Sequence, residues 1–281
     1  MLLPVRGLVL GGGGITGVAW ETGLLAGLSV AGVDLTRADL VVGTSAGSLV
    51  GAQILSDTPI RELYDVQLAD PASGETGLRL GLSFLFRFIA ASMVPGSEQR
   101  TARRLGRTAL RAHAGPESQW VADFVKKRIG APAWPESRLL VPAVDTETGE
   151  LRQFDRQGDV PLVNAVAAGC AWPTLAPPIT IGGRRYMDGG IRSPTNADLA
   201  TGCDRVVVIA PITSALRRRQ RISVQLAALG PGVRSAVVSP DRAAKRAIGR
   251  NVMDETRRPA AARAGFAQAA SVATQVAAVW I

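Results

Sequence analysis

Leu40-Val41-Val42-Gly43-Thr44-Ser45-Ala46-Gly47-Ser48-Leu49-Val50 is the stretch on which the fold turns. Three apolar residues run straight into Gly43-Thr44-Ser45-Ala46-Gly47, a G-x-S-x-G pentapeptide, and residues 48–55 continue with helical spacing. Strand, tight turn and helix together form the context in which a serine is held above a parallel sheet with its hydroxyl exposed. Side chains two residues to either side of Ser45 would collide in so sharp a turn, which accounts for glycine at Gly43 and Gly47. The helix that follows aims its N-terminus at Ser45 and favours negative charge developing there. Gly/Ser turns of this form also occur without function, so the rest of the chain has to carry part of the reading.

Upstream, an apolar run from Val5 to Leu10 ends in Gly11-Gly12-Gly13-Gly14-Ile15-Thr16-Gly17, and residues 16–30 recur at helical spacing. This is a second strand-turn-helix unit, and two in succession favour a parallel sheet covered by helices. Successive amides in a glycine turn at a helix N-terminus form an anion-binding nest. The amides of Gly12, Gly13 and Gly14 are therefore candidates to hold the oxyanion of a tetrahedral intermediate. A nucleotide phosphate is the competing ligand. A Walker loop requires Lys and then Ser or Thr after its last glycine, and here Gly17 is followed by Val18-Ala19. Gly12-x-Gly14-x-x-Gly17 matches the dinucleotide fingerprint, but the second strand ends in Gly43-Thr44-Ser45 where an acidic residue should hold the ribose.

A serine nucleophile needs a base, and histidine is the usual one. The chain has a single histidine, His113, just beyond the arginine-rich stretch 100–111 and far from any strand end. A carboxylate is left to take the proton. The best placed is Asp188 in Tyr186-Met187-Asp188-Gly189-Gly190, where a short strand enters a glycine turn that keeps the carboxylate accessible.

Around these motifs the chain reads as one domain over 1–281. Residues 57–135 lack strand signals and form a helical insertion; within it 80–94 (LGLSFLFRFIAASMV) gathers three of the six phenylalanines. That segment fits either a lid or membrane-docking element or a buried helix. Strand signals return at 138–144 and 151–154 around the polar turn 146–149, a hairpin; 162–171 is helical, 179–181 and 184–187 flank Gly182-Gly183, and 205–210 is a buried strand. Residues 211–281 read as helical and Ala-rich.

This last part holds twelve Lys and Arg against three Asp and Glu, which accounts for the whole net charge of +9. A confined basic region can meet anionic lipid headgroups. Nucleic acid is the weaker partner, since no aromatic residue interleaves with Arg217 to Arg221 for base stacking. Cys170 and Cys203 are too few for a disulfide framework and lack metal-ligand spacing, so neither metal nor cofactor is expected and a reducing, cytoplasmic compartment is compatible. The apolar N-terminus lacks the flanks of a secretory signal, and residues 265–281 carry too many polar side chains for a membrane span. Oligomeric state is not readable.

Three elements in this order resemble the patatin-like phospholipase family: the loop Gly12-Gly13-Gly14-Ile15-Thr16-Gly17, the G-x-S-x-G at Ser45, and Asp188-Gly189-Gly190. Ala168-Gly169-Cys170-Ala171-Trp172-Pro173 before Pro177-Pro178 is also similar to that family's approach to its aspartate. The match extends over about 5–210. The resemblance implies a three-layer α/β/α sandwich with a mostly parallel central sheet, and a Ser–Asp dyad at Ser45 and Asp188 without histidine. It further implies a lipid or other carboxylic ester as substrate. The family usually carries Arg or Lys where this chain has Thr16, so an anion contact is absent or supplied by another arginine. A second reading follows from that departure and from the basic C-terminal part: a catalytically silent, membrane-associated or regulatory protein that keeps the fold.

Overall fold

In a computed structural model of the chain, residues 4–69, 97–112, 115–129 and 133–281 are described. The phenylalanine-rich segment 80–94 and His113 lie outside them.

The two glycine-ended apolar runs form β1 (Arg6–Leu10) and β2 (Leu40–Gly43), each feeding a helix, α1 (Gly14–Val30) and α2 (Ala46–Ile54). They lie side by side and parallel, Leu10 opposite Gly43, so both turns emerge at one edge of the sheet. β3 (Arg138–Asp145) adds parallel to β2, and β7 (Arg205–Ile209) parallel to the other side of β1. The far half of β3 takes antiparallel partners, β4 (Leu151–Phe154) and β6 (Arg184–Asp188), and β5 (Ile179–Ile181) pairs with β6. The expected hairpin at 146–149 is thus present, and the antiparallel arm brings the end of β6 toward the parallel core.

Alternation along the strands shows why helices cover both faces. Leu8, Leu10, Val41, Val207 and Ile209 join one apolar cluster with α1, α2 and the helices α5 (Leu162–Gly169) and α8 (Arg258–Trp280). Val9, Leu40, Val42, Val206 and Val208 point the other way, where Ala197, Leu199 and the helix α6 (Ile222–Ala227) cover them. Strands buried on both faces read as unbroken Val/Leu runs, as here. The result is the three-layer, mostly parallel α/β/α arrangement that the sequence implies.

Among its described residues the 57–135 insertion holds helices, α3 (Ile60–Leu68), α4 (Glu98–Arg111) and a helical run at 117–129, and no strand. The reading of 211–281 as wholly helical needs correction. Arg234–Val238 forms β8, parallel to β7 at the sheet edge, and α7 (Arg242–Ile248) and α8 follow it. Only three apolar residues, Ala236-Val237-Val238, mark this edge strand, too short a run to stand out in an Ala-rich region. Among the described residues no helix is long and apolar enough to cross a membrane.

Candidate active site

β2 ends at Gly43 and α2 begins at Ala46, so Thr44 and Ser45 alone make the reversal. Ser45 takes φ 52° and ψ −118°, a left-handed backbone that a side chain rarely adopts and that marks stored strain. The turn is closed from both sides. A Cβ at Gly47 would lie 2.2 Å from the Leu10 carbonyl oxygen, and one at Gly43 would lie 2.5 Å from the Gly47 carbonyl oxygen. No side chain fits in either place.

The glycine loop is bolted to this turn. Thr44 N–H donates to the Leu10 carbonyl (2.9 Å) and Gly47 N–H to the Gly11 carbonyl (3.1 Å), and a Cβ at Gly12 would lie 3.4 Å from the Ser45 Cβ. Of the three amides expected to face an anion, Gly12 is already committed: its N–H donates to the Pro194 carbonyl at 2.8 Å. Among the described residues Gly13 and Gly14 have no protein acceptor for theirs, and neither has Ala46 at the start of α2. Gly17 lies within α1, where its own N–H closes the first turn onto the Gly13 carbonyl at 2.9 Å.

Thr16 is fully buried, and both its N–H (3.0 Å) and its hydroxyl (3.3 Å) donate to the Val252 carbonyl. A basic side chain there would be driven into the C-terminal segment that packs on the loop. Thr16 is therefore a joint between α1 and the backbone at Val252, not an exposed anion contact.

Val42 pairs with Leu140 of β3 and Asp188 with Ala143 of the same strand, so the end of β6 sits just past the end of β2. Ser45 Oγ donates to Asp188 Oδ2 at 2.6 Å, across 143 positions of chain. The other carboxylate oxygen, Oδ1, accepts the Gly190 N–H at 2.7 Å. Asp188 is completely buried, and burial raises its pKa to about 7, against the opposing pull of the Ser45 and Gly190 hydrogen bonds. Gly189 lets β6 leave the sheet close to β3, since a Cβ there would lie 2.3 Å from the Pro142 carbonyl oxygen.

Residues that the sequence did not single out hold this pair in place. Asn196, buried and left-handed at φ 50°, donates through Nδ2 to Thr44 Oγ1 (3.0 Å), the Ser193 carbonyl (2.9 Å) and the Gly189 carbonyl (3.3 Å). It thereby ties the residue before Ser45 to the residue after Asp188. Gln225 Oε1 accepts from the Ser193 and Thr195 hydroxyls (3.2 and 3.1 Å) and from the Ala197 N–H (3.0 Å), fixing the loop that carries Asn196. Below the turn, the Ser45 carbonyl accepts from Ser48 Oγ (2.7 Å) and Cys170 Sγ (3.2 Å). Burial, and then the Asp188 charge, push the Cys170 thiol up to about 12, so it stays a donor. The polar cluster Ser193-Pro194-Thr195-Asn196 was the available signal for this support, but it also reads as an ordinary loop. Among the described residues no group of three or more His, Cys, Asp or Glu side chains converges to hold a metal ion.

The chain covers 97% of its own length and 67% of the other on VipD from Legionella pneumophila, with a TM-score of 0.51 at 14% identity. On the type III effector ExoU the figures are 97%, 53%, 0.44 and 14%, so the chain spans about half the length of that protein. At 14% identity the likeness to VipD is one of fold alone. No curated protein sequence matches the chain. The family model described as "Patatin-like phospholipase" matches residues 8–201, from β1 through the Asn196 loop, and the chain accordingly belongs to the patatin-like phospholipase family and is a lipid acyl hydrolase.

Proposed function

We propose that the chain cleaves a carboxylic ester of a lipid through a covalent acyl-enzyme on Ser45. Asp188 accepts the hydroxyl proton as Ser45 Oγ attacks the ester carbonyl carbon, and the carbonyl electron pair moves onto oxygen. The amides of Gly13, Gly14 and Ala46 and the N-terminus of α2 stabilise that oxyanion. When the tetrahedral intermediate collapses, the alcohol leaves with the proton held by Asp188 and the acyl group stays on Ser45. Water then gives a proton to Asp188, attacks the acyl carbon and releases the fatty acid, and the proton returns to Ser45.

The single observation that supports this most is the 2.6 Å hydrogen bond between Ser45 and a carboxylate that burial keeps near neutral pKa. A base titrating near the working pH balances availability against proton affinity. Removing one oxyanion donor costs roughly 10²- to 10³-fold in such reactions, which sets the scale for the loop amides.

The test is hydrolysis of a dispersed fatty-acyl ester by the wild type beside Ser45→Ala, with fluorophosphonate labelling of both. Loss of turnover and of label in Ser45→Ala is the expected result. Turnover that survives the substitution would overturn the assignment, and an unlabelled, folded wild type would favour the silent-protein reading.

A further inference from the structure

β1, β2, β3 and β7 are parallel, so the segments that follow them gather at the edge where Ser45 sits. Two of these segments are dominated by arginine. After β7 the chain passes Pro211, which packs on the glycine loop at the Gly13 position, and reaches Arg217-Arg218-Arg219-Gln220-Arg221. Beyond the end of β3, α4 lies across the 146–149 turn so closely that a Cβ at Gly106 would meet the Thr146 carbonyl oxygen at 2.0 Å. This helix carries Arg100, Arg103, Arg104, Arg107 and Arg111 against the single acid Glu98.

The sheet order places β2 and β1, with the serine turn and the glycine loop, between β3 and β7, so the two arginine segments flank the site. They also touch: Arg217 Nη2 donates to Thr101 Oγ1 at 2.7 Å, and Gln220 Nε2 donates to the Arg192 carbonyl at 2.9 Å, four positions from Asp188. Arg100, Arg103, Arg107, Arg111, Arg218, Arg219 and Arg221 are exposed, and among the described residues none of the seven is paired with a carboxylate. The nearby acid Glu147 is taken by Arg185 at 3.2 Å. Leu216, half exposed, stands at the start of the same loop.

Seven guanidinium groups without a carboxylate partner among the described residues repel one another and lower stability unless an anionic surface meets them. From this placement we infer that α4 and the 216–221 loop form a docking face for a bilayer containing anionic phospholipid, seating the membrane against the end of the sheet that carries Ser45. Arginine binds phosphate oxygens in pairs through its planar fork, and each basic residue near an anionic leaflet adds to the attraction. Neither α4 nor the 216–221 loop contains an aromatic residue to stack on nucleobases, so a lipid surface is favoured over single-stranded nucleic acid. The inference rests on the lipid-hydrolase reading for its purpose, but the binding does not need a reactive serine.

The experiment measures binding of the full chain carrying Ser45→Ala to sedimented vesicles of phosphatidylcholine alone and with about 30% phosphatidylglycerol, at low and at physiological salt. The expected result is binding only to the anionic vesicles, weakened by salt. Arg218→Glu/Arg219→Glu/Arg221→Glu should reduce that binding by at least about tenfold, and Arg103→Glu/Arg107→Glu should do the same. Arg37→Glu, ahead of β2 at the opposite edge, should leave it unchanged. Each rim variant should unfold no earlier than the parent, since it relieves repulsion on the rim, and with Ser45 restored should keep wild-type turnover of a soluble short-chain ester. Equal binding to neutral vesicles, or rim variants that sediment like the parent, would overturn the inference. So would tight binding of a DNA oligonucleotide with no binding to vesicles. Failure of turnover with intact vesicle binding would count against the catalytic reading alone.

Discussion

The Asp188 carboxylate receives the Ser45 hydroxyl at 2.6 Å from a position with no exposure to solvent. A base must be unprotonated to act, and burial lifts this one to about 7. The value of kcat/KM for a soluble ester should therefore fall about tenfold per pH unit below about pH 7 and level off above it. Asp188→Asn, which keeps the shape and removes the base, should lower kcat by about 10³-fold or more, the middle to upper part of the roughly 10²- to 10⁴-fold range of general-base catalysis, because the nucleophile is disabled with its base. A rate profile flat from pH 5 to 8 would contradict the assigned base.

Strain at Ser45 separates two variants that are equally inactive. Both Ser45→Ala and Ser45→Gly lose the hydroxyl, but only glycine accepts φ 52° freely. Ser45→Gly should therefore be more stable than Ser45→Ala by about 1 kcal/mol, read by urea unfolding. Equal midpoints would mean the turn relaxes once the hydroxyl is gone.

Asn196 is a positioning residue for both halves of the site. Asn196→Gly keeps the left-handed backbone and removes the bonds to Thr44, Ser193 and Gly189, leaving buried acceptors unmet at a cost of about 1–3 kcal/mol. Turnover should drop more than KM rises, because what is lost is the alignment of Ser45 with Asp188. A variant that unfolds earlier yet keeps wild-type kcat would show the tie to be structural only.

Glu21 of α1 is fully buried beneath the glycine loop, and among the described residues neither of its oxygens meets a hydrogen-bond donor. Burial raises its pKa well above the usual carboxylate range; the Gly11 amide opposes this only in part, its N–H being given to the Ile209 carbonyl at 2.9 Å. Glu21 and Asp188 both bind their protons more tightly folded than unfolded. Their contribution to stability is complete below about pH 4, near unfolded carboxyl values, and is lost as pH rises through the folded pKa. Glu21→Gln, always neutral, should raise the melting temperature at pH 8 by about 2 °C or more, and the gain should shrink as the pH is lowered toward 4. A gain that does not change with pH would place the effect in packing.

What the chain announced in advance was whatever a few consecutive residues can encode. Gly43 to Gly47, the glycine loop and the turn after Asp188 each carry their geometry locally, because glycine at fixed offsets is demanded by close backbone approach. The lack of a well-placed histidine pointed to a carboxylate on chemistry alone. What escaped reading depends on partners distant in the chain. The Gly12 amide looked free until Pro194 met it, Asn196 looked like loop until Thr44 and Gly189 came within reach, and Thr16 looked like a missing contact until Val252 covered it. The edge strand Arg234–Val238 hid for a simpler reason: five residues, the first two polar, carry too little periodicity to be seen.

α1, the helix launched by the glycine loop, is pressed against α8 with almost no gap. A Cβ at Gly23 would lie 2.1 Å from the Ala262 carbonyl oxygen, and one at Gly265 would lie 2.2 Å from that of Trp20. The recognisable family segment stops at residue 201, yet the clamp on its first helix is made by residues more than fifty positions further on. A fragment trimmed to the homologous boundary would contain every proposed reactive group and still lack the brace that aims them. It would also bare one whole side of β1, from which β7 had been removed, as a hydrogen-bonding edge open to other chains. The motif-bearing module and the smallest foldable piece are different objects in this protein, and expression trials that confuse them should yield aggregates.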